Sequence, residues 1–104
     1  MAADPATIKA LLQAALDPSR LTVRDDSAAH AGHAGAASGG GHYDVLIVSE
    51  RFGGHTRVVR HRMVYDALRE LFPSQIHALA VNAYTDQEYQ SREATRDATR
   101  NSQT

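Results

Sequence analysis

Four consecutive apolar residues, Val45-Leu46-Ile47-Val48, constrain this chain more than any other feature. A strand sends successive side chains to opposite faces, so an unbroken apolar run needs cover on both sides and predicts a central strand, here His42 to Ser49. With 104 residues there is room for one core around it. The flanking segments must supply the other strands and the covering helices.

They have the right periodicities. Asp4 and Pro5 suit an N-cap and first helical position, and Ile8, Leu11, Leu12, Ala15 and Leu16 follow at helical spacing up to Pro18. Arg20 to Asp25 alternates, with Leu21 and Val23 on one face, as a half-exposed strand does. Thr56 to Phe72 reads as helix, with Val59, Met63, Val64, Ala67, Leu68 and Leu71 on one broad face. Arg60 falls inside that face, so either a bend separates a short first turn from a second helix, the favoured reading, or Arg60 is held there for a reason. Ile76 to Tyr84 reads as a third strand, with His77, Leu79, Val81 and Ala83 facing one way. Thr85-Asp86-Gln87-Glu88 has capping-box spacing and opens a last short helix. The expected fold is α+β, a three-stranded sheet packed with helices in the order α-β-β-α-α-β-α. The expected domain is residues 1–89.

Two segments cannot join the core. Apart from Asp26, residues 26–41 are Ala, Gly, Ser and His with no branched apolar side chain, and read as a flexible loop. Residues 90–104 contain no Leu, Ile, Val or aromatic residue and read as a disordered polar tail.

Candidate chemistry follows from what is missing and what is abundant. There is no cysteine, so a disulfide, a thiol nucleophile and an all-protein thiolate iron-sulfur site are excluded. There are six histidines, and His30-Ala31-Gly32-His33 places two imidazoles in a loop that does not need them for packing. His77 is a polar residue opening an otherwise apolar strand. Imidazole is a common metal ligand, and a fixed strand histidine with a loop histidine makes half a metal site. The same residues also suit a solvated loop and a hydrogen-bonded core histidine. Between 51 and 69 five arginines face one acid, Asp66, a local formal charge of +4 in a chain whose total is -1. Arg57, Arg60, His61 and Arg62 are therefore candidates for an anionic partner or for phosphates, although a solvated helix face explains them equally. Ser49 lies near His55 but in no G-x-S-x-G elbow, and no phosphate loop is present. No catalytic residue is expected. No apolar run is long enough to span a membrane, and the N-terminus resembles no targeting segment, so the reading is cytoplasmic.

Three blocks carry a family resemblance: Val48-Ser49-Glu50-Arg51-Phe52-Gly53-Gly54, Arg60-His61-Arg62-Met63-Val64-Tyr65 and Ile76-His77-Ala78-Leu79-Ala80. With Asp25-Asp26-Ser27 followed by His30, they resemble the BolA family over residues 5 to 89. The resemblance implies a fold related to the type II K-homology domain and a non-enzymatic protein. It further implies a heterodimer with a monothiol glutaredoxin, holding a 2Fe-2S cluster in iron-sulfur trafficking or iron and redox regulation. In such complexes the glutaredoxin cysteine and glutathione supply thiolates. The BolA-like partner supplies the histidine opening the third strand and one from the loop, which correspond to His77 and His30, with His33 as the alternative. The isolated chain would be apo and monomeric. Some members are described as DNA-binding transcriptional regulators, which implies an alternative role for Arg57, Arg60 and Arg62. Against it, the chain has no G-x-x-G clamp and a slightly negative net charge.

Overall fold

The computed structural model describes residues 3–26, 41–72 and 74–102, with side chains described to Ala94. Helix α1 (Pro5–Leu16) starts where the sequence places it: the Asp4 carboxylate accepts from the Ala6 N–H, Pro5 occupies the first turn, and Ile8, Leu12 and Leu16 are buried. Strands β1 (Arg20–Asp25), β2 (Gly41–Val48) and β3 (Ile76–Tyr84) form one sheet in the order β1-β2-β3. β1 runs antiparallel to β2, and β3 runs parallel to it. Between β2 and β3 the chain makes a 3-10 turn (Glu50–Phe52), helix α2 (Arg57–Ala67) and a second 3-10 turn (Arg69–Leu71), and helix α3 (Asp86–Ser102) follows β3.

The central strand is β2, as its apolar run requires. Val45, Ile47 and Val48 are buried and Leu46 half-buried. Tyr43, Val45 and Ile47 join α1, Val64, Leu68, Phe52 and Ile76 in one core, with Leu21, Val23, Leu79, Val81 and Ala83 packed against it. That layer covers one sheet face. The other carries a polar set, in which Arg24 donates to Asp44 at 2.9 Å and the Asn82 amide donates to the same carboxylate at 3.4 Å.

Three expectations need correction. Helix α2 runs unbroken through Arg60, and the break comes later, at Leu68 (φ -109°, ψ 8°). Arg60 is tolerated in the helix because its guanidinium has internal acceptors, given below. The alternation assigned to β3 fails at its start: Gly41 pairs with Ile76 but His42 pairs with Ala78, so His77 is an extra residue, a β-bulge. The bulge puts Ile76 in the core and turns His77 out to solvent. Finally, α3 continues to Ser102, where a short helix and a polar tail were expected.

Gly41 has a specific steric reason to be glycine. A Cβ there would overlap the ring of Tyr43, which is buried and donates its hydroxyl to the Ala3 carbonyl. Ala3 N–H and Gly41 N–H both donate to the Gln75 carbonyl at 3.1 Å, tying the start of the chain to the starts of β2 and β3.

Candidate functional site: the histidine end of the sheet

Parallel strands bring their first residues together, and both β2 and β3 begin with a histidine at their first or second position. The rings of His42 and His77 lie 5.3 Å apart between centroids, with planes tilted by 47°. His77 is exposed on its bulge, whereas His42 is half-buried and its Nε2 atom is buried. A hollow of about 240 Å³ adjoins His42, lined also by Asp26, Asp44, Ala78 and Ala80. The alanines leave the sheet surface low beside the His42 imidazole.

His30 and His33 lie outside the described residues. The ends of the segment that carries them are placed, however: Asp26 N–H donates to the His42 carbonyl at 2.7 Å, and Gly41 immediately precedes His42. The segment therefore leaves and rejoins the sheet beside the histidine pair. His42 went unassigned in the sequence because the pairing depends on register. The readable signal was a helix between two strands, since such a crossover makes them parallel and sets their first residues side by side.

The second candidate surface divides. Arg57 and Arg62 are exposed and His61 half-buried on α2, where Val58 is also 67% exposed. Arg60 turns inward. Its guanidinium donates to the His55 carbonyl at 2.9 Å, to the Ala83 carbonyl at 3.2 Å and to both Glu88 carboxylate oxygens at 2.6 and 3.1 Å. Phe52 lies beneath it, 5.9 Å from guanidinium carbon to ring centroid. Glu88 also accepts from Thr85 N–H at 2.8 Å and donates its own N–H to the Thr85 hydroxyl, completing the capping box expected from the sequence. Arg60 first, and the Thr85 N–H second, lower the Glu88 pKa to about 2. Glu88 is thus the partner that Arg60 required, 28 residues away. A groove of about 360 Å³ runs over this cluster past His55, Arg57, Asn82 and Tyr84.

Ser49 is buried, donates its hydroxyl to the Leu16 carbonyl at 2.6 Å and caps the turn at Glu50 by accepting from Arg51 N–H. Its position is structural.

Comparison with known proteins agrees with this architecture. The family model described as BolA-like protein matches residues 12–88. The BolA-like protein 1 of Mus musculus is 42% identical over 80 residues, covering 77% of this chain and 56% of that one. The DNA-binding transcriptional regulator BolA of Escherichia coli is 40% identical over 88 residues, covering 85% and 81%. Among solved structures, the BolA domain of SufE1 from Arabidopsis thaliana superposes with a TM-score of 0.73 at 38% identity, covering 85% of this chain and 98% of that domain. The chain spans about half the length of the mouse relative and 23% of the Arabidopsis SufE-like protein 1.

Proposed function

This chain belongs to the BolA-like family, and from that premise we propose that it is a non-enzymatic cytoplasmic partner of a monothiol glutaredoxin, sharing a 2Fe-2S cluster in iron-sulfur trafficking or iron and redox regulation. The observation that carries the reading is the exposed bulge histidine, His77, standing where the segment bearing His30 and His33 is anchored. The residues fit a shared cluster better than one held by this chain alone. The sequence has no cysteine, and among the described residues no three His, Asp or Glu side chains gather into a metal site. His77 and His30, with His33 as the alternative, would be this chain's ligands, and the thiolates would come from the glutaredoxin cysteine and glutathione. Imidazole on one iron and thiolate on the other is a known division, which raises the cluster's potential relative to all-thiolate ligation. This chain's own contribution is to hold one imidazole rigidly on a strand, open to a docked partner.

The test mixes the chain with a monothiol glutaredoxin, iron, sulfide and glutathione, and follows visible circular dichroism. A new cluster spectrum, lost in His77→Ala and in one of His30→Ala or His33→Ala, is the expected result. A glutaredoxin spectrum that the wild-type chain leaves unchanged would overturn the reading.

A second reading, DNA binding, is favoured by the printed name of the Escherichia coli relative and by the exposed Arg57 and Arg62. Phosphate-driven binding weakens steeply with salt, so affinity insensitive to ionic strength would dismiss it.

A further inference from the structure

The spacing of the two strand histidines has a meaning that neither reading uses. We propose that His42 and His77 together bind a single zinc-class divalent cation, a site the chain forms without any partner. Their centroids lie 5.3 Å apart. With metal–nitrogen bonds of about 2.0–2.1 Å and tetrahedral angles, two imidazole centroids on one ion fall roughly 5 Å apart. The observed separation matches this.

Further features support a cation between them. His42 sits at a paired position of β2 and His77 on the bulge between the paired Ile76 and Ala78, so the strand pairing around them brings the two imidazoles side by side. The bulge is what permits it, because a regular β3 would bury the side chain at 77 on the same face as Leu79. The adjoining hollow is lined by two carboxylates, Asp26 and Asp44. Asp44 is paired with Arg24 at 2.9 Å and accepts from the Asn82 amide, so its charge is balanced on that face.

Among the described residues no third ligand joins the pair. The ion would keep positions open to water or to an incoming donor, as zinc does in sites that exchange ligands. The inference shares His77 with the cluster reading but does not depend on it, since it concerns one ion on the isolated chain. It also gives the pair a consequence for that reading: a bound zinc-class ion would occupy His77 and compete with cluster assembly.

The experiment titrates the isolated full chain with cobalt(II), follows the visible absorbance of tetrahedral cobalt, and displaces it with zinc. His42→Ala and His77→Ala should each weaken zinc binding by about tenfold or more, while a His30→Ala, His33→Ala double variant should stay within about twofold of the wild type. Far-UV circular dichroism checks the fold of each variant, and His42→Gln replaces His42→Ala if the latter unfolds. Failure of the wild type to bind, unchanged affinity in the His42 variants, or loss confined to the double loop variant would each overturn the proposal. None of these outcomes bears on whether a glutaredoxin-bridged cluster forms, which the separate mixing experiment decides.

Discussion

The two ends of the sheet are built on different principles. At the end formed by Val48, Tyr84 and Arg20, side chains bind elements to one another. Arg60 joins α2 to β3 and α3, and Ser49 joins the turn after β2 to α1. The Ser19 hydroxyl bonds to Asp86 at the start of α3, and Glu50 accepts from the Asp86 N–H. At the opposite end the ties run mainly through backbone groups of Ala3, Gly41 and Gln75 and through the buried Tyr43, while the imidazoles of His42 and His77 meet each other. The first end spends its polar side chains on stability. The second satisfies its backbone locally and sets two imidazoles side by side. A substitution at the first end should therefore act on folding, and one at the second on binding.

The sharpest way to break the comparison is to remove the core beneath the clamp. Phe52 is fully buried under the Arg60 guanidinium. Phe52→Ala should cost about 3–4 kcal/mol, part lost transfer energy and part cavity, and lower the urea midpoint in proportion. A loss below about 1 kcal/mol would mean that the clamped end collapses around the void and is less rigid than its hydrogen bonds imply.

The clamp itself should give a smaller effect with a characteristic pH dependence. Glu88 has its pKa lowered to about 2, so its contribution is fully present above the unfolded carboxylate value. It is lost as pH falls from about 4.5 towards 2, where the native carboxylate takes up its proton. Because the Glu88 side chain is 46% exposed, solvent screening limits the pair to about 1 kcal/mol. Glu88→Gln should remove that amount at pH 7 and flatten the stability profile over this window in acid unfolding. Arg60→Ala should cost more, because the carbonyls of His55 and Ala83 lose a donor as well. Equal costs for the two variants would show that those carbonyl bonds add nothing.

How far each end could be read in advance follows from the same distinction. The core was legible because burial leaves a periodic trace: the stripes of α1 and α2 and the four-residue apolar run of β2 found their places. The capping box was legible because its partners are three residues apart. Glu88's bond to Arg60 was not, since local periodicity assigns an arginine to solvent or to a bend and cannot see an acceptor on another element. Helix α3 was underestimated for a related reason. Its residues beyond Tyr89 have no apolar stripe, yet a helix anchored at its first turn by Arg60 and the capping box has already met the cost of nucleation, and can extend on propensity alone. At the histidine end, the place of His77 at the start of a strand was legible, but its bulge and its neighbour His42 depend on register. Register here is set by backbone bonds to Gln75 and by the Tyr43 ring against Gly41, which leave no periodic signature.

The smallest expected effect on stability belongs to His77, and it is the one that sharpens the comparison most. The side chain is exposed, it belongs to no core cluster, and the bulge geometry that turns it outward is fixed by its neighbours, Ile76 in the core and Ala78 paired with His42. Replacing it with alanine removes only its ring contact with His42, and exposed substitutions of this kind stay within about 0.5 kcal/mol. His77→Ala should therefore unfold in urea at nearly the wild-type midpoint while failing to support a bridged cluster. A stability loss of 2 kcal/mol or more would place the His77 ring among the groups that hold β2 to β3. Its contact with His42 would then be structural, and the division between a stabilised end and a chemical end would fail.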